Sequence, residues 1–331
     1  MILLITLKSD LHTELVEYHL KNASAPYFRF NTDAIFDDYK ITLGVKGKEF
    51  FGSIRSVNEG TVLDTREVKA VWYRRTRINP PPSCAVNRDL FIYSAAEYAG
   101  FLKNLWITLN NAKWMDKPRI VHFLQEHRLA QYKLALEVGL KVPTTHYTND
   151  GEVLIQNLDF SKKVALKPIS SNTIVRPEEN GEKTGKIILT NILEKEDFSK
   201  EQFLLSVGNT PVQFQDYIEK QTEVRVTVVD SQLFPCEIDS QAVERMKVDY
   251  RRFDFSKETH RPCKLDSDIE EKIRIFMNKN KLVFGAIDLI KEPNGDFTFL
   301  EINPAGQWQW IEVLTGLPIS KAIAEWLIRN S

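Results

Sequence analysis

The sequence predicts an α/β chain of two or three packed units, and three observations carry that reading. The chain opens as a strand, a helix and a second strand, it passes at Pro118 into a helical pattern followed by a run of strands, and it closes on a strand hairpin flanked by helices. At 331 residues it is long for a single core. Hydrophobic residues at 43% and charged residues at 27% match ordinary globular proteins, which excludes a disordered or membrane-embedded class.

The apolar run Ile2 to Leu7 reads as a buried first strand. It has no basic leader, is too short to span a bilayer and runs into Lys8, Ser9 and Asp10. A helix over Asp10 to Lys21 and a strand near Tyr27 to Phe30 complete the βαβ start. Strand-like runs follow at Ile41 to Val45, Glu49 to Ile54 and Val68 to Arg74, and an amphipathic helix from Arg88 to Leu109 follows the breaker Pro80-Pro81-Pro82. From Pro118 one helical pattern extends to Val138 and is closed by Gly139. Strands are predicted at Lys163 to Ile169, Lys186 to Thr190, Val212 to Ile218, Glu223 to Val229 and Phe234 to Asp239, with a polar, glycine-bearing loop over Ser170 to Gly185 that is expected to move. A helix over 266 to 280, strands at Phe284 to Ile290 and Phe297 to Ile302, and a helix from Ile319 to Arg329 end the chain.

Charge and cysteines narrow the function classes. Forty-four Lys and Arg against 45 Asp and Glu give no overall field toward nucleic acid or an anionic membrane, so neither is an expected partner. Three widely spaced cysteines fit neither a disulfide framework nor a zinc site, and a reducing cytoplasm is the expected compartment.

The most informative stretch is GAIDLIKEPNGDFTFLEINPAG, residues 285 to 306. Asn294-Gly295 is a preferred two-residue hairpin turn, and counting outward from it sets Asp288 directly opposite Glu301. Facing carboxylates repel, and a divalent cation is the simplest group to offset them. Alternation puts Asn303 on the same face as Glu301. Hard oxygen donors without His or Cys suit Mg²⁺ that bridges nucleotide phosphates. An exposed hairpin with water-facing acids is the competing reading.

Upstream, Lys167 lies inside the apolar run Val164 to Ile169 and faces away from Leu166; it is either an anion-binding lysine or an edge-strand lysine. Glu223 and Arg225 share a strand face, either as a nucleotide-binding edge or as a surface ion pair. The tryptophans Trp72, Trp308 and Trp310 are more often core residues than substrate contacts, since large aromatics dominate packing.

Together these pieces resemble the ATP-grasp superfamily over residues 116 to 331. The resemblance implies that Lys167 meets the α- and β-phosphates of ATP, that Gln215, Asp216, Tyr217 and Ile218 form the segment beside adenine, that Glu223 binds ribose, and that Asp288, Glu301 and Asn303 ligate Mg²⁺. Within the superfamily the chain is similar to the graspetide synthetases, the microviridin-type maturases of ribosomal precursor peptides. The similarity rests on Val71-Trp72-Tyr73-Arg74-Arg75, on Val142-Pro143-Thr144 with Thr148-Asn149, on Asp249-Tyr250-Arg251 and on Glu301 through Trp308. One departure is Arg128, where that family more often carries Lys; the charge is kept and a point contact becomes a fork.

What the resemblance implies is an N-terminal α/β pre-ATP-grasp domain (1–115) followed by two α+β subdomains (116–215 and 216–331) that clasp ATP. The chemistry implied is phosphorylation of an Asp or Glu side chain of a precursor peptide, then attack by a Thr or Ser hydroxyl or a Lys amine. Arg128, Lys167 and Arg225 are expected to hold phosphates, and Arg74 and Arg251 to steer the acyl phosphate, with Arg74 rather than Arg75 facing the cleft. No residue stands out as general base. Leader recognition is expected outside the ATP cleft, on Lys186 to Thr190 and the helical stretch Glu196 to Leu205, with the acids Glu194, Glu196 and Asp197. A homodimer is implied by the resemblance alone. The competing readings are a ligase that adds a free amino acid to a peptide or protein, and a nucleotide-binding regulator without turnover.

Overall fold

A computed structural model of the chain describes residues 1–78, 87–157, 162–170, 173–177, 183–193, 199–250 and 259–331. Its first unit runs β1 (Ile2–Thr6), α1 (Leu11–Asn22), β2 (Tyr27–Asn31), α2 (Ile35–Asp38), β3 (Tyr39–Lys46), β4 (Glu49–Ser56), β5 (Val62–Asp64), β6 (Ala70–Tyr73), α3 (Arg88–Thr108) and β7 (Lys113–Trp114). The Asp10 carboxylate accepts from the backbone N–H of His12 and so starts α1. A parallel sheet of order β2-β1-β6-β7 is joined by an antiparallel sheet β3-β4-β5. Every residue of β1 is buried, as expected of a parallel strand covered on both faces.

The second stretch runs α4 (Pro118–Glu126), α5 (Arg128–Glu137), β8 (Thr145–Thr148), α6 (Gly151–Asn157), β9 (Val164–Lys167), β10 (Thr173–Pro177), β11 (Lys183–Ile187), β12 (Asn191–Leu193), α7 (Lys200–Asn209) and β13 (Val212–Asp216). The single helix expected over 118 to 138 is two. His127, at φ −120° and ψ 72°, leaves the helical region between them, so Arg128 becomes the first residue of α5. The loop expected over 170 to 185 holds β10 and β11, which pair antiparallel, and the strand expected at 186 to 190 is replaced by the end of β11 and by β12. β12, β9, β13 and β8 form a small sheet over a core of Leu154, Val164, Val207 and Phe214.

The third stretch runs β14 (Thr222–Val229), β15 (Gln232–Ile238), β16 (His260–Pro262), α8 (Ser267–Asn280), β17 (Phe284–Lys291), β18 (Phe297–Asn303), α9 (Gln309–Thr315) and α10 (Ile319–Arg329). Its five strands lie in the order β16-β15-β14-β17-β18. One face of this sheet packs on α4, α5 and α8 through Leu124, Tyr132, Val226, Phe276 and Phe299. The other shares a core with the first unit, in which Leu4, Val16, Leu20 and Trp72 meet Phe284, Trp308, Ile323 and Trp326. Asp116 reinforces that junction, its two carboxylate oxygens accepting from the N–H groups of Val283 (2.8 Å) and Phe284 (3.0 Å).

Candidate active site

Between the small four-stranded sheet and the five-stranded sheet lies a cleft of about 790 Å³. Eleven of the residues singled out in the sequence line it: Arg128, Lys167, Gln215, Asp216, Tyr217, Ile218, Glu223, Arg225, Asp288, Glu301 and Asn303. They come from α5, β9, β13 and the segment after it, β14, β17 and β18, so only the tertiary fold brings them together.

On the floor, Asp288 pairs with Glu301 as the hairpin count requires, but by a different route. The loop has three residues, with Gly295 at φ +91°, so Lys291 pairs with Phe297 and Leu289 with Phe299. Leu300 is then an extra residue in β18, a bulge that restores the 288–301 pairing. The facing carboxylates are offset by two guanidinium groups, which corrects the expectation that this needs a metal. Arg225 Nη1 donates to both oxygens of Asp288 at 2.7 Å, and Arg128 Nη2 donates to Glu301 Oε2. Burial disfavours both guanidinium charges, yet the carboxylate partners outweigh it and raise both pKa values.

Above the floor, Lys167 is pushed down to about 8, first by burial and then by Arg128 and Lys220, against the opposing pull of Glu301 and Glu223. Burial raises the Glu223 carboxyl, and Lys220, whose Nζ lies 2.9 Å from Oε1, opposes that rise. Glu223 therefore pairs with Lys220 and Arg225 with Asp288, not with each other. The Gln215 side chain is held by Tyr132 Oη (2.6 Å) and Thr145 Oγ1 (3.0 Å).

The oxygen donors present fit Mg²⁺. Two carboxylates and an amide converge, and Asn303 Nδ2 donates to Glu301 Oε1 at 3.2 Å, which leaves its own Oδ1 as the ligand atom. Among the described residues no three His, Cys, Asp or Glu side chains cluster as a cage, so a bound ion would draw further oxygens from phosphate and water.

Other expectations are corrected or fall elsewhere. Arg74 is 2% exposed and does not line the cleft; its Nη1 donates to Ala305 O at 2.6 Å, and Arg75 lines the cleft in its place. β6 ends at Tyr73, and Arg74 N still donates to Ile5 O at 3.0 Å, so its side chain is drawn into the packed junction at Ala305 rather than into the cleft. Ile188 and Thr190 line the cleft, so the segment 186 to 190 is not separate from it as expected. Arg251, Glu194, Glu196 and Asp197 lie outside the described residues. Of the tryptophans, Trp72 and Trp308 are core and Trp310 lines the cleft.

Residues 1–122 match the family described as the MvdD pre-ATP grasp domain. The whole chain superposes on a RiPP-associated ATP-grasp ligase of Chryseobacterium gregarium, solved with ADP and a leader and core peptide, at TM-score 0.88 and 26% identity, covering 100% of this chain and 97% of that one. It superposes on the macrocyclase MdnC of Microcystis aeruginosa MRC, bound with precursor peptide MdnA, at TM-score 0.83 and 28% identity over 100% of both chains. Residues 1–122 thus carry a pre-ATP-grasp domain, and the whole chain has the fold of these RiPP-associated ATP-grasp ligases. The macrocyclase MdnB of the same Microcystis strain matches the chain at TM-score 0.73 and 28% identity over 98% of both chains. No curated protein matches its sequence.

Sequence reasoning missed one side chain that builds the site. Gln131 lies one turn beyond Arg128 on α5, accepts from Ile302 N (2.9 Å) and donates to Ile302 O (3.1 Å) and Leu124 O (2.7 Å). It thus clamps the one residue between Glu301 and Asn303. The i, i+3, i+4 spacing of Arg128, Gln131 and Tyr132 was the available signal, since all three face the cleft or the sheet beneath it.

Proposed function

We propose that this chain phosphorylates Asp or Glu side chains of a ribosomally made precursor peptide with ATP and closes side-chain rings by ester bonds to Thr or Ser, or amide bonds to Lys. A carboxylate is a poor acyl donor because its leaving group is oxide. As an acyl phosphate it loses phosphate instead, and the γ-phosphoryl group leaves ADP behind. The hydroxyl or amine then attacks the acyl carbon, its proton is lost, and inorganic phosphate departs.

Lys167 and Arg128 hold the nucleotide phosphates, the 215–218 segment borders adenine, and Glu223 accepts from ribose. Asp288, Glu301 and Asn303 would hold Mg²⁺, which supplies charge neutralisation to the transferring phosphoryl group when bound. Arg225 orients Asp288, and Arg75 takes the carboxylate-steering role first considered for Arg74, beside Arg251. The microviridin-like ring chemistry, a homodimer and a cytoplasmic location belong to the same reading. Among the described residues no helix is long and apolar enough to cross a membrane.

The observation that carries the reading is the convergence of eleven residues singled out in the sequence on one cleft, in a chain that superposes end to end on ligases solved with ADP or precursor peptide. The test is ADP release by purified protein on adding a precursor-like peptide rich in Thr and Glu, with a product lighter by one water per ring. ADP release driven by free amino acids, or none with any peptide, overturns it.

A further inference from the structure

The loop that follows the metal-ligating end of β18 is held from behind by the N-terminal unit. Trp308 N–H donates to His12 Nε2 at 3.2 Å, and His12 Nδ1 lies 2.9 Å from Asp10 Oδ1, which fixes a neutral ring with its proton on Nδ1. The indole of Trp308, fully buried, meets the His12 ring edge-on at 5.0 Å. Arg74, 3.7 Å from Asp10 Oδ2, donates to Ala305 O. Between these anchors Gly306 N donates to Asn303 O at 3.0 Å, and a Cβ at Gly306 would lie 2.6 Å from Ala286 Cβ. There is no slack in this loop.

The cluster is polar where an apolar contact would serve stability better. Asp10 Oδ2, Arg74 Nε and Nη2, and Trp308 Nε1 are buried side-chain atoms without a hydrogen-bond partner, and native interiors retain few of these. Burial favours a neutral Asp10, but the hydrogen bonds from His12 and the Arg74 charge hold its carboxyl down at about 2. Burial keeps His12 below its ordinary value despite Asp10, so it remains an acceptor for Trp308.

We propose that His12 is a positioning residue: held by Asp10, it fixes the 304–308 loop and thereby aims Asn303 at the metal. The idea rests on the metal role proposed for Asn303, while the His12 contact itself does not. His12→Asn keeps a donor toward Asp10 near Nδ1 but lacks the acceptor for Trp308, whereas His12→Gln places an amide oxygen near Nε2. Loss of one hydrogen bond should weaken Mg²⁺-dependent ADP binding roughly 3- to 10-fold in the Asn variant, with the Gln variant near wild type and metal-free ADP binding unchanged in both. Hydrogen–deuterium exchange over residues 303–309 should quicken in His12→Asn alone. In the unmutated protein, ¹⁵N spectra should show the Nδ1–H tautomer of His12.

An Nε2–H tautomer, or equal exchange in all three proteins, overturns the proposal whether or not a variant folds poorly. If Asn303→Ala leaves Mg²⁺-dependent ADP binding intact, the metal assignment fails and the proposal falls with it. If that variant loses it while His12→Asn keeps it, the proposal alone fails.

Discussion

Lys167→Met should make the nucleotide-free protein more stable while stripping it of nucleotide affinity. An amine whose pKa falls from 10.5 unfolded to about 8 folded carries its charge at neutral pH at a cost of about 3 kcal/mol. Met keeps the stem and drops the charge, so the net gain should be roughly 1 to 3 kcal/mol, or several degrees in Tm. The sign follows from proton binding. Between about pH 8 and 10.5 the unfolded chain holds a proton on Lys167 that the folded chain has lost, so wild-type stability rises with pH across that window. The variant's advantage is therefore full below pH 8 and fades toward 10.5. Urea unfolding of both nucleotide-free proteins at pH 7 and 9.5 measures it, and titration with a non-hydrolysable ATP analogue at pH 7 should show a roughly 10- to 100-fold weaker Kd. A variant less stable than wild type at pH 7, or one with unchanged Kd, refutes the reasoning.

Asp288→Asn should abolish ring formation and also lower the Tm of the nucleotide-free protein, because Arg225 would be left buried without its anion, a loss of about 3 to 5 kcal/mol; a level or raised Tm in thermal melts contradicts the pairing described. Gln131→Ala should cost about 1 to 3 kcal/mol by orphaning the N–H and C=O of Ile302, and should weaken Mg²⁺-dependent ADP binding through Glu301 and Asn303. Unaltered urea midpoints and metal dependence would show that the clamp holds nothing.

The Asp288–Glu301 pairing was legible in the sequence through two deviations that cancel, an extra loop residue before it and the bulged Leu300 within it. Alternation sufficed for Lys167 because β9 is regular up to that residue, and it misled for Arg74 because Ala305 O and Asp10, far away in the sequence, hold that side chain out of the cleft. The helical pattern over 118 to 138 runs through His127 without a Gly or Pro, so nothing in it marks the break that places Arg128 at a helix start. β10 and β11 were hidden by their composition, with Arg176, Lys183 and Lys186 interrupting any apolar run. Asp116 and His12 act on backbone groups 167 to 296 residues away, a distance no local pattern encodes.

β18 is the last strand of its sheet, and such a strand ordinarily offers a row of free N–H and C=O groups to any extended chain. Here that row is already taken: Lys141 O accepts from Phe299 N at 2.8 Å, Leu300 bulges out, and Gln131 occupies both backbone groups of Ile302. The margin beside Glu301 and Asn303 is therefore closed by the chain's own Gln131, and an extended strand finds no free backbone pair at Ile302 to add itself to.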